Sequence, residues 1–396
     1  MKISFRKSLI AIGLSAMALP VSAQNVPCGG DFRTFLNGVA AEASRAGYSE
    51  AAINATLSGA QIDQTVLSRD RAQGVFKQTF LEFSQRSISN YRMNNGAGNM
   101  QKYASVFQRA QQQFGVPPEV ITAFWALETD FGAVQGDFNT INALATLAHD
   151  CRRPHLFRPQ LLAAIVLVQH GDLDPRGTTG AWAGEIGMVQ MLPEDILTKG
   201  MDGDGDGHVT LKTSAPDAIL TAANLIHTLG WRPNEPWLIE VAVPQNIPWE
   251  RSGLHTKLRV SDWTAMGITA RNGNMPSGGM PASLLAPQGR MGPKFLAFAN
   301  FDVYLEWNQS FIYSTTAAYL ATRLGGAGRY DAGAPEDGLS DGQMRRLQEI
   351  LASRGYDVGD IDGILGARTR DAVQAEQVRF GMPADAWPTV ALLNRY

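Results

Sequence analysis

The stretch Val120–Gly132, VITAFWALETDFG, is apolar along nearly its whole length yet carries a glutamate close to its end. Helical spacing puts Glu128 on the face shared by Phe124 and Val120, four and eight residues earlier. A solvent-seeking glutamate belongs on the opposite face. A carboxyl among aromatic side chains is desolvated in its charged form, so its pKa rises and it holds a proton near neutral pH. That is what a general acid needs. The alternative is a structural glutamate paired with a buried arginine or capping a neighbouring helix. Asp130, two residues on, faces elsewhere, so locally one acid stands alone.

Outward from this segment, apolar residues recur every three or four positions from about Asp31 to Gln113, predicting helices. The stretch MNNGAGNM (Met93–Met100) is read as a loop between two of them. Gly115 ends a helix; Pro117 and Pro118 open the one bearing Glu128, with Glu119 at the positive end of its dipole. Further helices are expected at Thr140–Ala148, Gln160–His170 and Ala215–Leu229. Between Trp249 and Gly292 the composition shifts to short strands and loops, a small β-containing insertion. The Gly/Ala/Pro/Asp-rich segment Gly325–Gly338 has no periodicity and reads as an interdomain linker. The fold class is mainly α (α+β), with boundaries at 24–324, 325–338 and 339–396.

Lys2, Arg6 and Lys7 precede the apolar run Ser8–Pro20, and VSA stands before Gln24, the pattern of a secretory signal over residues 1–23. The run is short for a bilayer span, and no later stretch approaches one. Export is expected, with no transmembrane segment in the mature chain. Thirty-four basic residues against 37 acidic give a net charge of −3, which argues against nucleic acid as a partner but not against an uncharged or weakly acidic polymer such as a glycan. Cys28 and Cys151 are the two cysteines; in an oxidising compartment one disulfide is the simplest pairing, two buried thiols the alternative. Two cysteines and scattered histidines make no zinc site.

Two more motifs carry chemistry. GAWAGEIGMVQMLPEDI (Gly180–Ile196) alternates glycines with small and apolar residues before Gln190. Glycines permit close backbone approach to a saccharide, and one carboxamide can both donate to and accept from its polar groups; the bland reading is a loop packed on the core. DGDGDGHVT (Asp202–Thr210) places Asp202, Asp204 and Asp206 at positions 1, 3 and 5 of an EF-hand-like calcium loop, with the His208 carbonyl at 7. Position 12 is Thr213 instead of glutamate, and Asp217 lies close enough to supply the missing carboxylate. The alternative is a solvated acidic turn.

ALETDFG, INALATLA, GEIGMVQMLP, DGDGDGHVTL and PDAILTAANLIHTLGW occur in this order. Together they resemble the lytic murein transglycosylases of the MltB type, over roughly Asp31 to Leu324. The resemblance implies a lysozyme-like core, Glu128 as catalytic acid, Gln190 in contact with substrate, and calcium on Asp202, Asp204, Asp206, the His208 carbonyl and Asp217, with no organic cofactor. It implies cleavage of the β-1,4 bond between N-acetylmuramic acid and N-acetylglucosamine without water, leaving 1,6-anhydro ends. Trp182 and Trp307, followed by Asn308, fall in motif segments and are expected in the groove; Trp125, like Trp231, Trp237, Trp249 and Trp263, is expected in the core. Departures are Ala181 where the family often has serine, Glu185 where it has a small residue, and Trp307 where it often has tyrosine. Residues 339–396, with Leu347, Gln348, Tyr356, Asp362 and Gly363 in register, resemble a small peptidoglycan-binding module of three helices, whose role would be tethering. The implied setting is a monomer acting on peptidoglycan glycan strands in the periplasm of a Gram-negative bacterium. The rival enzyme is a hydrolytic muramidase assisted by Glu185 or Asp130; the rival from another class is a non-catalytic wall-binding scaffold.

Overall fold

The computed structural model describes residues 26–71 and 78–396. The expected signal segment, 1–23, lies outside the described residues, as do residues 72–77 within one predicted helical stretch. The chain is mainly helical, as expected, and side chains cap several of its helices. Asp31 accepts from the Thr34 amide at 2.8 Å to start α1 (Phe32–Arg45), and Ser49 caps α2 (Glu50–Leu57). Then come α3 (Gln64–Arg71), α4 (Phe80–Ser87), α5 (Asn90–Lys102) and α6 (Ala104–Phe114). The next helix, α7 (Pro118–Thr129), is the axis of the larger helical body. Val120 through Ala126 are all buried, so it is apolar on every side. It packs on α5, α6, α11 (Ala215–Thr228) and α14 (Phe311–Leu324). Between α7 and α11 lie β1 (Phe138–Asn139), α8 (Thr140–His149), α9 (Pro154–His170), β2 (Thr179–Gly180) and α10 (Pro193–Lys199). A disulfide joins Cys28 to Cys151, fastening the start of the described chain to the turn between α8 and α9.

One expectation is corrected. Met93–Met100 is not a loop but the middle of α5. Glycine and asparagine lower helix propensity, yet tertiary packing decides here. A Cβ at Gly96 would lie 2.8 Å from Leu324 Cδ2 and 3.2 Å from Thr122 Cγ2. The missing side chain is what lets α5 lie directly on α7 and α14.

The β-containing part is wider than the insertion read at Trp249–Gly292. Five antiparallel strands run in the order β4 (Leu258–Arg259), β6 (Pro281–Leu285), β7 (Phe295–Ala297), β3 (Leu238–Ala242) and β5 (Thr269–Ala270). The flanking strands β3 and β7 come from outside the expected bounds. A short helix, α12 (Val260–Ala265), covers the sheet through Trp263 in a separate core with Trp249, Leu284 and Phe298. The chain then forms α13 (Ala299–Trp307) and α14.

Beyond α14, residues 325–338 carry no regular element but are fastened along the body. Tyr330 packs against Tyr319 with the rings tilted, centroids 4.9 Å apart, and its hydroxyl meets Ser84 Oγ at 2.7 Å. The terminal module comprises α15 (Asp341–Ser353), α16 (Ala367–Arg379) and α17 (Val390–Leu393), around Leu347, Leu351, Val373 and Leu392. It does not hang free: Gln374 Nε2 donates to Ser252 O at 3.0 Å, and Asp385 accepts from the Arg290 amide at 2.9 Å.

Candidate active site

Glu128 sits in the last turn of α7, and the helix stops just after it. Asp130, Phe131 and Gly132 all adopt left-handed backbone, with φ of 50°, 63° and 88°. The chain therefore turns away sharply and leaves the carboxyl at the end of a buried helix. Phe124, one turn earlier on the same face, stacks on Trp307 with centroids 4.2 Å apart. That stack aims the indole: Trp307 Nε1 donates to Glu128 Oε1 at 2.9 Å. Tyr313 donates its hydroxyl to the same oxygen at 2.5 Å. Oε2 accepts nothing among the described residues and is not sealed from solvent. One oxygen is thus fixed and the other is available.

The electrostatics are opposed. Burial pushes the Glu128 carboxyl above its ordinary range, and the charge of Glu185 adds to the rise; the Tyr313 and Trp307 hydrogen bonds pull it down. Glu185 is itself raised by burial, with backbone amides of its own loop pulling the other way, and its Oε2 is buried without a partner. Asp130 is placed elsewhere: Arg92 of α5 donates to it at 2.6 Å, so it is held in an ion pair.

The glycine motif forms the loop beside the acid. Thr129 donates its hydroxyl to Met188 O at 2.5 Å and accepts from the Gly132 amide at 2.8 Å, tying loop to helix end. Gly187 has φ of 82°, and a Cβ there would meet Leu211 O at 2.6 Å, so only glycine fits. Gln190, with φ of 51°, spends its amide nitrogen on Gly187 O at 2.9 Å and Gln135 O at 3.2 Å. Only its carbonyl oxygen remains to meet a ligand. Asn308 Oδ1 accepts from the Ser310 amide at 2.9 Å and shapes the turn between α13 and α14. Trp182 is half-buried and lines a cleft of about 700 Å³ with Ser310, Phe311 and the module segment Val358–Thr369. Trp125, Trp231, Trp249 and Trp263 are buried, and Trp237 packs against the core.

Asp202, Asp204 and Asp217 converge, each offering an oxygen within 4.8 Å of the others. The Asp206 carboxylate and the His208 ring are not in that group: Asp206 Oδ1 accepts from the His208 amide at 2.8 Å and the ring meets Asp172 at 2.9 Å, while the His208 carbonyl, the expected ligand atom, takes part in neither bond. Asp217, wholly buried at the start of α11, accepts from the Gly203 and Thr210 amides at 2.8 and 2.7 Å, drawing the loop over itself. None of the three carboxylates makes an ion pair among the described residues, although Arg109 donates nearby to Gly203 O. Three hard, unneutralised donors suit a hard divalent cation.

Tyr313 and Thr129 escaped the sequence reading. Tyr313 stands 185 residues from Glu128 in the chain, and nothing local marks FIYSTT as part of the site.

Comparison with known proteins closes the question of family. Residues 31–322 match the transglycosylase SLT domain, and residues 340–395 match a peptidoglycan binding domain. Over 240 residues the chain is 30% identical to membrane-bound lytic murein transglycosylase B of Escherichia coli (strain K12), covering 59% of this chain and 64% of that protein, just under two thirds of its length. It is similar to the crystal structure of SltB3 from Pseudomonas aeruginosa in complex with NAG-anhNAM-pentapeptide, at TM-score 0.85 and 34% identity over 93% of this chain and 99% of that one. Escherichia coli lytic transglycosylase Slt35 in complex with calcium superposes at TM-score 0.63, 25% identical, over 77% of this chain and 98% of its own. The family match spans most of the chain and the fold agrees with it, and the chain belongs to the SLT-domain transglycosylase family, carrying a peptidoglycan-binding domain at its C-terminal end.

Proposed function

We infer that the protein is a lytic transglycosylase of the bacterial cell wall, cleaving the β-1,4 bond between N-acetylmuramic acid and N-acetylglucosamine with Glu128 as both acid and base. The observation that carries this reading is the asymmetry of that carboxyl. With Oε1 occupied by two donors, the proton resides on Oε2 and points to the open side. Oε2 protonates the glycosidic oxygen as its bond to C1 of the muramyl residue breaks. The resulting carboxylate is held by Tyr313 and Trp307 and takes the proton of the muramyl C6 hydroxyl while that oxygen bonds to C1. The product is a 1,6-anhydro end, no water is consumed, and Glu128 is again protonated. A two-carboxylate glycosidase divides these duties between two groups; one carboxyl suffices when the nucleophile is part of the substrate. The NAG-anhNAM-pentapeptide bound by SltB3 is such a product, and the likeness supports the same chemistry here.

The glycine loop, through Gln190 and Trp182, would contribute to the saccharide groove. Asp202, Asp204 and Asp217 would hold a structural Ca²⁺ that neutralises their charge and stiffens the loop following Gln190. The sequence pattern of residues 1–23 supports export to the periplasm, and no described helix is long and apolar enough to cross a membrane. The buried, unpartnered Glu185 oxygen favours a second reading, a muramidase in which Glu185 activates water. Mass spectrometry of products from purified sacculi separates the two. Anhydro ends, abolished in Glu128→Gln, are expected; reducing ends would overturn the transglycosylase reading, and undiminished turnover by Glu128→Gln would overturn Glu128 as the acid.

A further inference from the structure

Both donors to Glu128 flank a single turn. Trp307 is the last residue of α13, Tyr313 lies in the first turn of α14, and residues 308–310 join them. The turn is braced from within: Ser310 Oγ accepts from the Tyr313 amide at 3.3 Å, and Ser314 Oγ donates to Asn308 O at 2.6 Å. From outside, the terminal module reaches the residue that follows the turn. Arg370 of α16 places its guanidinium carbon 4.8 Å from the ring centroid of Phe311, the residue that opens α14. The same group lies 5.9 Å from the Trp387 ring and donates to Pro287 O at 2.7 Å.

This is an unusual place for a cation. Arg370 is only 7% exposed, its Nε has no partner, and Asp385 acts on it from a distance only. A buried charge without an ion-pair partner is unfavourable in itself, and a module serving only as a tether would have no use for it. Gln374, one turn along the same face of α16, donates to Trp249 O and Ser252 O, so that face is fixed against the catalytic body. Phe311 is thereby clamped two residues from the hydroxyl-bearing Tyr313.

We propose that Arg370 is a positioning residue for the acid: by clamping Phe311 it fixes the turn between α13 and α14 and keeps Tyr313 and Trp307 on Oε1 of Glu128. The proposal rests on Glu128 being the acid. It assigns the C-terminal module a part in turnover, separate from any affinity for the polymer. A tether changes binding to sacculi; a clamp changes kcat even on a small soluble substrate.

The test uses full-length Arg370→Met and Arg370→Lys with a soluble tetrasaccharide of alternating N-acetylglucosamine and N-acetylmuramic acid. For Arg370→Met, kcat is expected to fall about tenfold or more while KM moves less than about twofold, as for a small misplacement of catalytic groups. The basic limb of the kcat–pH profile should also move upward. The groups facing the acid are Tyr313, Trp307 and Glu185, with Arg92 and Tyr304 acting on Tyr313; loosening the two donors leaves burial and the Glu185 charge less opposed. Arg370→Lys, which keeps the charge but not the planar stack, should recover part of kcat. Wild-type kcat and an unmoved limb with weaker sacculus binding would overturn the proposal in favour of a plain tether. Lower kcat with an unmoved limb would overturn it in favour of general loosening. Should Arg370→Met fail to fold, Arg370→Lys is judged by the same two criteria. Glu128→Gln keeps the two ideas apart: turnover by that variant would remove the acid, and the clamp with it, whereas a dead Glu128→Gln alongside an unaffected Arg370→Met would remove the clamp alone.

Discussion

Replacing Tyr313 with phenylalanine removes one oxygen and almost nothing else. The ring stays in the core, where Tyr313 is 6% exposed, and Trp307 still donates to Oε1. What disappears is a hydrogen bond that strengthens as Glu128 becomes charged. Hydrogen bonds to charged groups contribute ~1.5–3 kcal/mol. Applied to the step in which the acid gives up its proton, that corresponds to a kcat lower by about ten- to a hundredfold. KM on a soluble tetrasaccharide should stay within about twofold, since a residue that stabilises only the developing charge leaves ground-state binding alone. The pH profile has a defined sign: Tyr313 pulls the Glu128 pKa down, so its loss raises that pKa and carries the basic limb of kcat to higher pH. Steady-state kinetics across pH, with circular dichroism to establish folding, is the assay. A Tyr313→Phe enzyme with unchanged kcat and an unmoved limb would refute the claim that this hydroxyl stabilises the conjugate base.

Glu185→Gln should move the same limb the opposite way, because the Glu185 charge is among the effects raising Glu128. Burial raises the Glu185 pKa, so the wild type loses stability as pH climbs from the ordinary glutamate range through the raised value; Glu185→Gln should therefore melt higher than wild type at neutral pH and equally under acid conditions, as thermal scans would read. Calcium at a hundredfold excess over its Kd should stabilise the fold by about 2.7 kcal/mol; the melting temperature should fall on chelation and become calcium-independent in Asp217→Asn, and equal wild-type values with and without calcium would remove the ion. Gly96→Val should destabilise by ~1–3 kcal/mol through overpacking, whereas Gly98→Ala, with nothing within 4 Å of its added carbon, should be neutral or stabilising in chemical denaturation.

Legibility from sequence followed the range over which each signal acts. Glu128 was readable because its conflict with Phe124 and Val120 is contained within one helix. Asp202 and Asp204 were readable because an alternating Asp-Gly loop folds locally, and Asp217 because it is near in sequence; the Asp206 carboxylate lies outside the group, turned to the His208 amide. The loop reading of Met93–Met100 failed because Gly96 answers to Leu324 and Thr122, distant in sequence, and its composition misleads unless those neighbours are known. Arg370 shows the same limit more sharply. Arg368 and Arg370 look alike in ARTRD, yet one faces Asp357 at the surface and the other is enclosed by Phe311, Trp387 and Pro287.

In the proposed mechanism one carboxyl both gives and retrieves a proton, which requires that neither state win outright. Burial alone would leave Glu128 a weak acid, reluctant to release its proton to a glycosidic oxygen. Two donors alone would hold it charged and unable to begin. The site sets these against each other, and the opposition is geometric: α7 supplies the burial, while the turn between α13 and α14 supplies both donors to the same oxygen. Because both donors crowd onto Oε1, stabilising the carboxylate does not obstruct Oε2, where the proposed mechanism has the proton leave and return. A donor placed on Oε2 would produce the same average pKa and a poorer catalyst, since it would have to be displaced in each half of the reaction. The direction of the hydrogen bonds therefore matters as much as their strength, and the packing that fixes that direction, Phe124 beneath Trp307 and Arg370 above Phe311, belongs to the chemistry although neither residue donates to the acid.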